Sequence, residues 1–175
     1  MKKFSLDSLK ELRNLTAASI AECKKALDEA AGDIGQAVKL LRQRGLELAA
    51  KKQGQGAKEG RIEAYVHMGN KIGVLLEVDC QTDFVARNAD FCQFTKDLAM
   101  QIAAASPDYI KREDVPSELI EEEKDKEAFY KARCLLDQAF IKDPNITIKD
   151  YLGSLAVKFS ENIFIRRFIR YKIGE

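Results

Sequence analysis

"RIEAYVHMGNKIGVLLEVDCQTDFVARN", residues Arg61–Asn88, decides the fold, because the apolar spacing changes within it. Ile62, Ala64 and Val66 alternate with Arg61, Glu63, Tyr65 and His67. After "MGNK" the alternation resumes through Ile72, Val74, Leu76, Val78 and Cys80. Successive strand side chains point to opposite faces, so a period of two predicts two half-buried strands. Gly69 and Asn70 suit the tight turn between them, and the segment reads as a β-hairpin. "DCQTDFVARN" follows as a polar connection that carries two large apolar residues, Phe84 and Val85. In one reading Asp83 or Asn88 caps the next helix while both apolar residues fold back as a staple. In the other, the turn lifts Phe84 off the surface as an aromatic anchor for a partner. Spacing alone does not choose between them.

Downstream, Phe91, Phe94, Leu98 and Ile102 form a helical stripe over residues 88–105. A second helix is expected from Pro116 or Ser117 to Leu136, with "EEEKDKE" as a solvated section. A third begins near "TIKDYLGSLAVKF". There Thr147 and Asp150 make a capping pair, and Ile148, Tyr151, Leu152, Leu155 and Phe159 line one side. In the closing "NIFIRRFIRYKIGE", Ile163, Ile165, Ile169, Tyr171 and Ile173 alternate with Phe164, Arg166, Phe168, Arg170 and Lys172. That alternation predicts a strand, which must return across the domain to pair with the hairpin.

Upstream, the period is helical throughout. Leu6, Leu9 and Leu12 share one face, Ile20, Cys23, Ala26 and Leu27 a second, and Ile34, Ala37, Val38 and Leu41 a third. Asp33 and Gln36 supply the start signal of the last helix, and Gly45 suits its end. Helices this short are marginal alone, so they must pack together. "AAKKQGQGAKEG", Ala49–Gly60, has nothing to bury and reads as a linker. The expected architecture is α+β: a three-helix module over 1–48, a linker over 49–60, and a core over 61–175 in which a small antiparallel sheet packs with helices.

Lys+Arg 29 against Asp+Glu 28 leaves a net charge of +1, so no overall field draws the chain to nucleic acid or to an anionic membrane. No apolar run is long enough for a membrane span, and "MKKFSLDSLK" lacks the apolar block of a signal peptide, so a cytoplasmic location is expected. Cys23, Cys80, Cys92 and Cys134 are far apart and His67 is the single histidine, a pattern that fits no metal site. They read as small buried hydrophobes, and no cofactor or catalytic group is expected. A thiol enzyme centred on Cys80 would lack a nearby base. The Arg166, Arg167, Arg170 and Lys172 strand offers RNA binding as an alternative, against an amphipathic strand with a solvated face.

"LKELRNLT" and "IAECKKALDEAAGDIGQAVKLLRQRG" resemble the ubiquitin-associated-like N-terminal module of the elongation factor Ts family, and "IGVLLEVDCQTDFVARN" resembles its central signature. The resemblance spans nearly the whole chain. It implies a guanine-nucleotide exchange factor with no enzymatic chemistry, whose partner is GDP-bound elongation factor Tu. It implies that Thr82, Asp83, Phe84 and Val85 disturb the partner's Mg²⁺ site, and that Arg13, Ile20 and Ala21 touch its G domain. The family often has methionine where this chain has Ile20 and Ala21. Phe84 is thereby assigned to the partner, and Val85 to stapling the next helix. Long members carry two related core subdomains in one chain. The single core here matches the short form and implies a homodimer, with the C-terminal strand as candidate interface. A ubiquitin-like-binding adaptor working through the helical module is the other alternative.

Overall fold

The computed structural model describes residues 4–51 and 59–175. Contacts divide the chain into two compact units, Met1–Gly56 with Asp150–Ile163, and Ala57–Lys149 with Phe164–Glu175.

The first unit opens with α1 (Leu6–Thr16), α2 (Ile20–Glu29) and α3 (Ile34–Lys51). Each start is capped as its sequence dictates. Ser5, Ser19 and Asp33 accept hydrogen bonds from the amides of Ser8, Glu22 and Gln36, satisfying donors that have no partner inside the helix. Leu12, Cys23, Ala26, Leu27, Ala37 and Leu41 form the core. Leu6 and Ile20, which periodicity places on the buried stripes, are exposed instead. The stripes are narrower than the pattern, because three short helices cover only their middles.

Gly45 does not end the last of these helices. It lies inside α3, which continues to Lys51, and it serves a close approach rather than a left-handed cap. A Cβ there would stand 2.4 Å from the Gly153 carbonyl oxygen and 2.7 Å from Val157 Cγ2. Both belong to α8 (Ile148–Phe159), which from Asp150 onward is part of this unit and adds Val157 to its core. Most of the linker expected over 49–60 lies outside the described residues.

The second unit is built on the hairpin. β1 (Glu59–Val66) and β2 (Ile72–Cys80) pair in antiparallel fashion, and Gly69 and Asn70 take the positive φ angles of the turn. β5 (Phe164–Lys172) pairs antiparallel with the other edge of β2, giving the order β1-β2-β5. Helix α5 (Ala89–Ala105) crosses one face and buries Phe91, Phe94, Leu98 and Ile102, the predicted stripe. The fold class is α+β, as expected.

Two details reverse what alternation implies. On β1 the side facing α5 carries the polar set. Glu63 accepts from Arg61 Nε at 2.8 Å and from Thr95 Oγ1 at 3.2 Å, and Arg61 Nη1 reaches Cys92 Sγ at 3.5 Å. With α5 supplying those partners, burying the polar face is not penalised. Ile62 (65% exposed), Ala64 and Val66 therefore face outward.

On β5 a bulge interrupts the alternation. Val78 is opposite Ile165 and Glu77 is opposite Arg167, so Arg166 is an extra residue. Before it Ile165 points in; after it Arg170 points in, donating to the Ala103 carbonyl, while Ile169 and Tyr171 point out.

The helix expected from 117 to 136 is two helices, α6 (Ser117–Glu122) and α7 (Lys126–Arg133). Asp125 accepts from the Ala128 amide and starts the second afresh, because a run with no apolar face gains nothing from continuing. A short ribbon of β3 (Ala139–Phe140) and β4 (Asp143–Thr147) follows; two-residue pairing is too brief to leave an alternation signal.

Candidate partner-binding site

Between β2 and α5 the chain makes one helical turn, α4 (Asp83–Ala86). Its geometry follows from a dense set of local bonds. Thr82 is extended, and its hydroxyl accepts the Val85 amide at 3.4 Å while its carbonyl accepts the Ala86 amide at 3.2 Å. The Arg87 and Asn88 amides donate to the Asp83 and Val85 carbonyls, both at 3.0 Å. Asn88 then caps α5 by accepting the Asp90 amide at 2.9 Å.

Two thiols latch the turn at its ends. Cys80 donates to the Thr82 carbonyl at 3.2 Å and Cys92 to the Ala86 carbonyl at 3.6 Å. Cys80 is fully buried, which makes it a structural latch rather than an accessible nucleophile.

Adjacent helical residues point about 100° apart, and this separates the two apolar side chains. Val85 is 7% exposed and anchors the turn in the core; Phe84 is 83% exposed. Leaving a phenyl ring in water forgoes roughly 1.5–3 kcal/mol of burial. A single exposed apolar residue is ordinary on a protein surface. What distinguishes Phe84 is that the backbone on both sides of it is hydrogen-bonded, through the Val85, Ala86, Arg87 and Asn88 amides. Asp83 is half-exposed and pairs with Arg87 at 3.4 Å.

The other sequence-predicted residues, Arg13, Ile20 and Ala21, belong to the first unit, at the end of α1 and the start of α2. All three are exposed beside the connection Ala17–Ser19, in which Ala17 is left-handed with φ 52°. Leu15 is exposed on the same last turn of α1. Spacing offers no signal for it, because Leu15 follows Leu12 at the same three-residue interval that joins Leu6, Leu9 and Leu12.

The remaining candidates are accounted for within the chain. His67 Nδ1 is 3.0 Å from the Tyr65 hydroxyl. Arg166 pairs with Asp79, Arg167 with Glu77, and Arg170 and Lys172 share Glu175, so each of these four cations of the last strand has a carboxylate partner within the chain. Burial pushes the Cys134 thiol up to about 11. Among the described residues no group of three metal-ligating side chains lies together, and no helix is long and apolar enough to cross a membrane.

A turn of this sequence, rigid beneath an exposed phenylalanine, sits where the quoted signature places it. A family model described as "Elongation factor TS" matches residues 2–128 and 125–175. The chain belongs to the elongation factor Ts family. The chain is 48% identical to elongation factor Ts of Carboxydothermus hydrogenoformans, over 95% of its own length and 88% of the relative's. Against that of Thermodesulfovibrio yellowstonii the values are 48%, 95% and 94%. Against that of Caldanaerobacter subterraneus subsp. tengcongensis they are 47%, 98% and 97%.

These alignments run over 189 to 194 positions although the chain has 175 residues, so the relatives carry additional residues inside the aligned region. The two family matches meet at 125–128, where Asp125 separates α6 from α7.

Proposed function

We propose that the chain is a guanine-nucleotide exchange factor of translation elongation. In this reading it binds GDP-bound elongation factor Tu, disturbs the partner's Mg²⁺ site with the Thr82–Val85 turn, and so promotes GDP release and reloading with GTP. The observation that carries the reading is Phe84, exposed on a rigidly bonded turn within a family signature.

The physical logic is displacement. A GTPase holds phosphate with backbone amides, a lysine and Mg²⁺, and the metal neutralises charge that the protein alone does not. A ring pressed between side chains near that site shifts the groups that hold metal and phosphate. Nothing is cleaved, and the Mg²⁺ and nucleotide are the partner's. Because coupling is reciprocal, a factor that weakens nucleotide binding is itself released when nucleotide returns.

The energetics require more than the wedge. Accelerating release ~1,000-fold takes roughly 4 kcal/mol of differential stabilisation, more than burial of one phenyl ring supplies. The N-terminal helical module is assigned the grip, through Arg13, Ile20 and Ala21.

Release of a fluorescent GDP analogue from elongation factor Tu tests the reading. Strong acceleration by this chain is expected; release at the spontaneous rate would sink it.

A homodimer completes the proposal. The outward sheet face, with Ile62, Val66, Leu75, Ile169 and Tyr171 exposed and the Glu77–Arg167 pair among them, is largely apolar yet locally neutral in charge. Such a face meets a copy of itself across a two-fold axis without opposing like charges, and it includes the C-terminal strand. Light scattering at micromolar concentration is expected to give twice the chain mass. A strict monomer that is fully active in exchange would contradict the dimer.

A further inference from the structure

The direction in which Phe84 projects depends on where β2 ends, and the last pairs of β2 carry an unusual clamp. Glu77 and Asp79 alternate with the inward Val74, Leu76 and Val78, so both acids lie on the outward face of the sheet. The neighbouring strand supplies two consecutive arginines. In a regular strand Arg166 and Arg167 would point to opposite faces. The bulge at Arg166 places both on the outward face, where Arg167 meets Glu77 and Arg166 meets Asp79.

Arg166 Nε and Nη2 both stand 2.6 Å from Asp79 Oδ2, and its guanidinium lies 4.9 Å from the centre of the Phe164 ring. Asp79 itself is buried, so its charge depends on that partner. On the opposite side β1 presses against it through Gly60. A Cβ there would stand 2.5 Å from the Val78 carbonyl oxygen and 2.9 Å from Asp79 Cα. Asp79 is thus held from both flanks, three residues before the Thr82 cap.

We propose that Arg166 is a positioning residue for the exchange turn: by holding Asp79 it fixes the end of β2 from which Thr82–Val85 projects. This rests on the exchange reading above. Removing the guanidinium would leave the buried Asp79 carboxylate unpaired, so some loss of stability accompanies the change in aim. Its effect on exchange is through aim, and a misplacement on the order of 1 Å is enough to slow a geometry-dependent step substantially.

The test uses the full chain with Arg166→Ala and Arg166→Lys. Both wild-type contacts converge on one oxygen, so a lysine keeps the charge beside Asp79 while losing the planar guanidinium over the Phe164 ring. Arg166→Ala is expected to lower the maximal rate of GDP-analogue release from elongation factor Tu about tenfold. The factor concentration at half-maximal rate should change little; the melting temperature should fall, so release is measured well below it. Arg166→Lys is expected to recover most of the rate.

Amide hydrogen exchange of the free protein gives an independent readout. The Val85, Ala86, Arg87 and Asn88 amides should exchange about tenfold faster in Arg166→Ala than in wild type. Full release activity and unchanged protection in Arg166→Ala would overturn the proposal. So would a loss of rate, well below the melting temperature, without faster exchange of those four amides. A wild-type chain that fails to accelerate release would instead overturn the exchange reading, and the amide exchange would still decide whether Arg166 orders the turn.

Discussion

Phe84→Ala is expected to abolish most of the acceleration of GDP release while leaving the fold unchanged. The ring is 83% exposed, so its removal opens no cavity and costs the free protein little stability. If the ring is buried against the partner, truncation forfeits its share of roughly 1.5–3 kcal/mol, a factor on the order of 10–100 in rate. Stopped-flow release of the fluorescent analogue, beside a thermal melt, measures both quantities. An active Phe84→Ala with the wild-type melting temperature would mean that the wedge lies elsewhere. Val85→Ala behaves differently on this account: it lowers stability, because Val85 is the side chain that anchors the turn.

The second large effect is Gly45→Ala. At an open helical position this change is favourable by roughly 1 kcal/mol. Here the added Cβ meets a carbonyl oxygen at 2.4 Å, and that oxygen is backbone of α8, so a whole helix must move. Overpacking of this kind costs roughly 1–3 kcal/mol or more. The clash outweighs the propensity gain, and a melting temperature lowered by several degrees is expected, since 1 kcal/mol shifts a chain of this size by roughly 2–4 °C. Calorimetry reads this directly; a raised melting temperature would show that the two helices separate without penalty.

The elements with a clean period were legible in the sequence: the hairpin, the helix of Phe91 and Phe94, and the returning strand. Local chemistry also read through, because Asp33 and Asn88 cap the helices that follow them. What stayed hidden depends on partners far along the chain. Alternation on β1 identifies two faces but not which one α5 covers. Cys92 and Thr95, about thirty residues later, settle that in favour of Arg61 and Glu63.

The bulge at Arg166 leaves a single trace in spacing, Arg167 standing where the series Ile163, Ile165, Ile169 calls for an apolar residue, and only the register turns that into an insertion. Gly45 carries the signature of a helix end, and only the crossing with Gly153 gives it another reason to be glycine. At the site, two neighbouring apolar residues were indistinguishable by composition. A single helical turn, capped by Thr82 and latched by Cys80, sends Val85 in and Phe84 out.

In the complex Phe84 is expected to be buried by the partner and not by its own chain. 4-Fluorophenylalanine placed at position 84 gives a fluorine resonance that reports its surroundings with and without elongation factor Tu. The free protein is expected to give a solvent-exposed signal that shifts and broadens when GDP-bound partner is added. A resonance that stays solvent-exposed while GDP release is accelerated would contradict it.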